Sequence, residues 1–390
     1  MIHELTLRNF KGIESATLGL ERLTVIVGPN ASGKTSVLQA LDLMMALSHP
    51  DTAYGDLLEQ RGGISALTKR GSPSGETSLR LSGRWDNAQG ALKLELLSDD
   101  ALRNTIPSPK ISIEWAGIPV IFRPNVAREG GAKFLHARPD PLPAVLKKWA
   151  AYSFLRLEAR KLAETSYTPD VEPQLASDGA GLASVLAQMA LSRPDDFKAL
   201  LTALRGVIPQ VLRVRLSLAE VKRQENEAIR INDEFVTRTY VRTYSGHRLL
   251  FDLTNADGIP SQGASEGTLL VLGLLAVLFS APRPKLVLLD DLDRGLHPKA
   301  QEHLVAQLRE LLKQDPELQI VATSHSPYLI DHLDPKEVRL SNVLPDGTIH
   351  FAELTQHPDF ARWKEVMRPG EFWSTVGEGW VGDVPEKKQG

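Results

Sequence analysis

Apolar and polar positions divide this chain into runs of distinct period. Leu23-Thr24-Val25-Ile26-Val27 is rich in β-branched side chains and shows no polar alternation, which predicts a buried strand. A Gly-rich turn follows, after which Val37, Leu38, Leu41, Met44 and Met45 recur at helical spacing. Residues 2–8 set Ile2, Leu5 and Leu7 among polar neighbours, as an edge strand does; Asn9-Phe10-Lys11-Gly12 turns, and a second strand runs to Leu20. The Gly-rich turn is therefore expected on the third strand of a small N-terminal sheet. Strand-like runs at 78–81, 92–97, 111–115 and 120–122 are spaced as an antiparallel meander.

The pattern changes at Pro141-Leu142-Pro143. From there to Arg205 it is helical, through Leu146, Trp149, Ala150 and Leu155, then Leu182, Val185, Leu186 and Met189, then Phe197, Leu200, Leu201 and Leu204. Pro169, Pro173 and Pro194 interrupt it and no heptad is sustained, so a compact helical lobe is expected rather than a coiled-coil arm. Strands resume at 211–216, 228–231, 237–241 and 249–253. An apolar helix spans 269–281, and central strands lie at 285–289 and 319–322. Between these strands a helix opens at Pro298 and runs through Leu304, Leu308 and Leu311. A hairpin turning at Asp346-Gly347 and a short helix with Trp363 close the fold, and residues 386–390 read as a disordered tail. The implied organisation is residues 1–142 and 207–382 as two halves of one α/β unit, 143–206 as an inserted helical lobe, and 383–390 as a tail.

Composition narrows the class. The chain has 390 residues, 24% charged and 42% hydrophobic, with a net charge of -3, so a nucleic-acid site would have to be a local patch. It has no cysteine, which excludes disulfides, thiolate metal sites and Cys nucleophiles and suits a reducing cytoplasm. Met1-Ile2-His3-Glu4 does not begin a signal peptide, and the 269–281 run is too short for a bilayer core of about 30 Å, so no membrane role is expected.

Candidate chemistry concentrates at strand ends. Gly28-Pro29-Asn30-Ala31-Ser32-Gly33-Lys34-Thr35 is a G-x-x-x-x-G-K-T phosphate loop in the required strand–turn–helix context, with Ser36 continuing the helix. Gly28 and Gly33 permit the close approach that lets backbone N–H groups wrap a phosphate. Lys34 is positioned for the β- and γ-phosphates of ATP, and Thr35 for Mg²⁺. Such a loop needs a carboxylate at the end of a neighbouring strand. Asp290 and Asp291 follow an apolar run and fit that need, Asp290 on the Mg²⁺ side and Asp291 as the water-activating base; a strand ending in solvated acids has the same form. His325, after the next apolar strand, either contacts the γ-phosphate or the attacking water or is a structural residue of the turn. Ser265 and Gly267 precede the apolar helix, as a plain helix cap or as a second anion-receptive N-terminus.

Taken in order, G-x-x-x-x-G-K-T, S-E-G-T, L-L-D-D-L-D-R-G-L-H-P and A-T-S-H-S-P resemble the ABC-type ATPases of the RecF, SMC and OLD group. The likeness is nearest to the short ATPases of bacterial phage-defence systems and covers most of residues 1–375. It implies a P-loop NTPase of the ABC-ATPase head type, with a mixed central sheet, an N-terminal antiparallel sheet and an inserted lobe. It further implies a homodimer or higher homo-oligomer enclosing two ATPs, with Ser265–Thr268 of one copy facing the phosphate loop of another. On the same ground Asp293 to His297 resembles the loop across the dimer seam, His325 the switch histidine, Lys11 a nucleotide contact, and Arg61 a basic loop near nucleotide or DNA; Gln60 is a candidate linking glutamine.

The resemblance has two departures. Asp291 stands where relatives carry Glu, which implies slow hydrolysis, and the signature lacks the double glycine of transporters. About sixty residues follow His325, too few for a TOPRIM nuclease. Two function classes follow: an ATP-hydrolysing dimerising switch in antiphage defence or DNA repair and maintenance, or a slow or non-hydrolysing nucleotide-stabilised scaffold or sensor holding an effector such as a nuclease or toxin. DNA or RNA contact rests on the resemblance and on basic clusters at Lys147-Lys148, Arg156, Arg160-Lys161, Arg213 with Arg215, and Lys222-Arg223, which also suit a solvated face.

Overall fold

The computed structural model describes residues 1–48, 54–71, 76–85, 88–97, 110–115, 118–122, 152–231 and 234–383. The boundary expected at Pro141-Leu142-Pro143, the positions Leu146, Trp149 and Ala150, the pair Lys147-Lys148 and residues 386–390 lie outside them. The chain divides into two units: one of Met1–Phe154, Pro284–Asp293 and Leu308–Gly390, the other of Leu155–Arg283 and Arg294–Gln307. The strands are β1 (Ile2–Phe10), β2 (Ile13–Gly19), β3 (Leu23–Val27), β4 (Glu76–Trp85), β5 (Ala88–Leu97), β6 (Lys110–Trp115), β7 (Ile118–Phe122) and β8 (Tyr152–Leu155). They continue as β9 (Val211–Ile231), β10 (Glu234–Leu253), β11 (Ala256–Pro260), β12 (Leu286–Leu289), β13 (Gln319–Ser324), β14 (Val338–Val343) and β15 (Ile349–Glu353).

The first unit holds an antiparallel sheet in the order β2-β1-β4-β5-β6-β7, which contains the expected meander, and a mixed sheet in the order β15-β14-β3-β13-β12-β8. Strand β3 is thus not the third strand of the N-terminal sheet, as its place in the chain suggested. It pairs in parallel with β13 on one side and β14 on the other. The reason is solvation: all of β3 is buried, as a strand covered on both faces must be, whereas β1 and β2 each expose a position to water. Helix α1 (Lys34–Ser48) is largely apolar, with a half-buried polar stripe of Thr35, Gln39 and Asp42. Its Val37, Leu38, Leu41, Met44 and Met45 share one core with Leu5 and Leu7 of β1, Leu79 and Leu81 of β4, Leu286 and Leu288 of β12 and Val321 of β13, so it packs on both sheets. The buried Gln319 side chain ties the sheets at one end, accepting from Ile2 N–H at 2.9 Å and donating to Ile2 C=O at 2.8 Å. Leu155, expected in a helix, ends strand β8 instead. The alternation that decides this is aromatic: Tyr152 and Phe154 both pack against the core, and Tyr152 Oη donates to Asp42 at 2.9 Å.

In the second unit, helices Leu182–Ser192 and Pro194–Val207 occur where apolar spacing placed them, with Pro194 at the first turn of the latter. The four short strands expected between 211 and 253 are instead two long ones. β9 and β10 pair from Val211–Leu253 out to Ile231–Glu234 as one antiparallel ribbon, and β11 joins β10 only near its base. Over 222–227 and 237–243 both faces of the ribbon are largely exposed, so no core-facing alternation marks that stretch. Cross-strand chemistry holds it there: Tyr240 and Tyr244 both donate to Glu225, and this keeps the Glu225 carboxyl below its usual range. No helix among the described residues is long and apolar enough to cross a membrane.

Truncating Leu288, fully buried between α1 and the mixed sheet, should cost about 2–5 kcal/mol of unfolding free energy in a denaturant titration. Leu218→Ala, on the ribbon and 70% exposed, should change it by less than about 0.5 kcal/mol.

Candidate nucleotide site

The loop after β3 has a backbone that few residues tolerate. Gly28, Ala31 and Gly33 have φ of 145°, 63° and 86°, and interleaved left-handed residues aim successive N–H groups at a common centre. Only glycine fits at position 28, because a Cβ there would stand 2.2 Å from the carbonyl oxygen of Ser341 on β14. Ser341 braces the loop further. Its hydroxyl donates to Val27 C=O at 3.1 Å, so the Ser32 hydroxyl, 2.6 Å from it, donates to Ser341. Pro29, Asn30 and Ala31 are exposed at the loop tip, and Ser36 lies half-buried in α1.

Lys34 opens α1 and is buried. Its ammonium donates to the carbonyls of Gly28 at 2.9 Å and Pro29 at 2.7 Å. Burial pulls its pKa below the ordinary lysine value, and the charges of Asp291 and Asp290 oppose that shift. Thr35 Oγ1 lies 3.1 Å from both carboxylate oxygens of Asp290, 255 residues away in the chain. Asp290 also accepts from Thr323 Oγ1 at 2.7 Å. His325 Nε2 stands 3.9 Å from Asp291 Oδ1, and the His325 N–H donates to Asp293 Oδ1 at 3.1 Å. Lys34, Thr35, Asp290, Asp291 and His325 thus gather in the first unit, with the imidazole and the Asp291 carboxylate both open to solvent.

The remaining candidates fall elsewhere. Lys11, at the β1–β2 turn, donates to Gln39 of α1 and lies 5.9 Å from the Phe10 ring centroid. Arg61 pairs with Asp42 of α1 at 2.5 Å, and Gln60 ends helix Tyr54–Gln60. Ser265 and Gly267 belong to the second unit. Ser265 caps helix Glu266–Leu278, accepting from the Thr268 N–H at 3.3 Å, and its side is exposed. Gly267 is required by a close backbone approach, since a Cβ would stand 2.3 Å from Gly295 O, and Arg294 pairs with Glu266 beside it at 2.7 Å. Reading the chain alone missed Thr323 and Ser341. Thr323 stood inside A-T-S-H-S-P, but its bonds depend on the β12–β13 register, and nothing local marks Ser341.

A threonine hydroxyl beside a carboxylate is a hard oxygen set that suits Mg²⁺. Among the described residues no group of three His, Cys, Asp or Glu gathers as a metal site. A cation held by Thr35 and Asp290 would therefore need phosphate and water for its other ligands.

Two family models match the chain. The "AAA ATPase domain" matches residues 1–116, and the "AAA domain, putative AbiEii toxin, Type IV TA system" matches residues 151–331. An OLD nuclease of Thermus scotoductus is 47% identical over 45 residues, 12% of this chain and 8% of that protein. A DNA replication and repair protein RecF of Psychromonas ingrahamii is 28% identical over 152 residues, 33% of this chain and 42% of that protein. These matches span less than half the length of either relative. Among solved structures, an SMC head bound to the C-winged helix domain of ScpA superposes with a TM-score of 0.58 at 13% identity, covering 92% of this chain and 99% of that one. An SMC head with an extended coiled coil, bound to the C-terminal domain of ScpA derived from Pyrococcus furiosus, gives 0.53 at 11% identity, covering 94% and 99%. The fold is thus that of an SMC-type head, a P-loop α/β architecture, and the sequence matches are to ATPase domains and to segments of OLD and RecF proteins.

Gly28→Ala should lower the thermal midpoint and weaken binding of a fluorescent ATP analogue more than about tenfold, because the loop must shift off Ser341.

Proposed function

We propose that this chain is an ATP-hydrolysing switch whose heads dimerise around ATP, working in DNA maintenance or antiphage defence. The observation that carries the reading is the meeting of Thr35 and Asp290, which unites a phosphate loop with a strand-end carboxylate. Lys34 exchanges its loop carbonyls for the β- and γ-phosphate oxygens when ATP enters. Thr35 and Asp290 would hold Mg²⁺, which would supply charge neutralisation for the phosphoryl oxygens. Asp291 takes a proton from water as its oxygen attacks the γ-phosphorus, and the bond to the ADP oxygen breaks. His325 donates a hydrogen bond to the γ-phosphate or orients that water. The exposed Ser265 and the helix N-terminus beside Gly267 complete the site of a second copy, which supports a homodimer or a higher assembly of pairs. Preference of ATP for the closed pair drives the switch.

The two sequence segments 1–142 and 207–382 act as one head with the intervening lobe as an insertion, in the cytoplasm. The partners are an effector protein, nuclease or toxin, and DNA or RNA. Asp291 favours slow turnover, because its carboxylate is one methylene shorter than Glu. A nucleotide-stabilised scaffold or sensor that hydrolyses ATP slowly or not at all and holds an effector is the alternative reading.

Single-turnover hydrolysis separates the two readings. Asp291→Asn should lower the rate about 10²–10⁴-fold with ATP binding retained, and an unchanged rate would remove the enzyme. Particle mass should double on ATP addition in the Asp291→Asn variant and stay at the monomer value when Lys34→Ala is added. Removal of Mg²⁺ with a chelator should abolish both hydrolysis and the mass change.

A further inference from the structure

We propose that Thr323 is a positioning residue for hydrolysis, acting through Asp290 and Asp291; the inference rests on the ATPase reading above. Thr323 lies near the end of β13, is fully buried, and follows Ala322, which pairs in parallel with Leu289 of β12. It bonds three successive residues of the neighbouring strand's exit. Its hydroxyl donates to Asp290 Oδ1 at 2.7 Å and accepts the Asp291 N–H at 2.9 Å, and its carbonyl accepts the Leu292 N–H at 2.9 Å.

The hydroxyl's two bonds are coupled. It has a single proton, and an ionised carboxylate can only accept, so that proton goes to Asp290. A lone pair is thereby turned towards the Asp291 amide. That amide belongs to a residue in an uncommon conformation, φ 57°, which Asp tolerates better than most side chains but which needs surroundings to hold it. The same bend aims the Asp291 carboxylate beside His325. One buried oxygen thus orients the metal-side carboxylate and holds the backbone that presents the base. Thr323 touches neither nucleotide nor water in this scheme, so its effect passes through the two aspartates.

Valine keeps the shape of threonine and removes the oxygen, and serine keeps the oxygen. Thr323→Val should lower the single-turnover rate about 10–10²-fold, the size expected for a misplacement on the order of 1 Å, with ATP affinity within about threefold of wild type. Thr323→Ser should return the rate to within about threefold. In an Asp291→Asn background, Thr323→Val should cost clearly less than it does in the wild type, because the share of its effect that passes through Asp291 is already lost and only the share through Asp290 remains. Hydrogen exchange at the Asp291 amide should quicken in Thr323→Val and stay slow in Thr323→Ser, which reads the latch without reference to turnover. A wild-type rate in Thr323→Val, full additivity with Asp291→Asn, or unchanged amide exchange would overturn the inference while leaving the ATPase intact. An inactive wild type with a protected Asp291 amide would instead overturn the ATPase reading and, with it, the catalytic meaning of Thr323.

Discussion

Parallel pairing governs this structure. Strands β3, β13 and β12 run the same way in adjacent places, so their carboxyl ends fall on one edge of the mixed sheet. Everything that follows each strand emerges there: the Gly-rich loop after β3, Asp290 and Asp291 after β12, and Thr323 to His325 at the end of β13. Open α/β sheets place ligand sites at this edge for the same geometric reason. No single contact has to draw Lys34 and Asp290 together, because the register of Leu288 with Val321, and of Val321 with Thr24, already sets their spacing.

That register is held by burial on both sides. Helix α1 fills the space between two sheets, and its half-buried polar stripe of Thr35, Gln39 and Asp42 is bonded to Asp290, Lys11 and Arg61, so the loop preceding it is anchored at both ends by packing. Buried polar groups brace its edges: Gln319 clips the two sheets together, Ser341 braces the loop, and Thr323 binds the exit of β12. The strain stored at Ala31 and Asp291 is tolerable only in such a frame, because left-handed conformations at non-glycine residues persist where neighbours over-determine them. The buried ammonium of Lys34 is a further cost of the same kind, visible as a lowered pKa, and it is placed where an anionic ligand would relieve it.

The second unit follows a different logic. Its apolar helix Glu266–Leu278 is buried along almost its whole length, while the cap at Ser265 stays at the surface. Its ribbon extends β-structure far beyond any core, kept in register by cross-strand pairs such as Tyr240–Glu225 and by the stacked rings of Tyr167 and Tyr244, 4.3 Å apart. Arg223 and Arg242 lie over those rings, which stiffens the ribbon and sets cations beside aromatic faces.

Local signals were enough for the strand–loop–helix unit around Lys34, the meander, the paired helices of the second unit, and the presence of carboxylates and His325 at strand ends, because each is written in contiguous period or in turn chemistry. They were not enough for three features. The assignment of β3 to its sheet required knowing which strands cover both of its faces. The ribbon required cross-strand pairs in a segment with no apolar alternation. The bonds of Thr323 and Ser341 depend on registers between strands separated by tens to hundreds of residues. Period and spacing along the chain determined which chemical groups are available and on what kind of element. Only the tertiary pairing decided which of them meet, since hydrogen bonds of a few ångströms are set by strand register, and register is a property of two segments together.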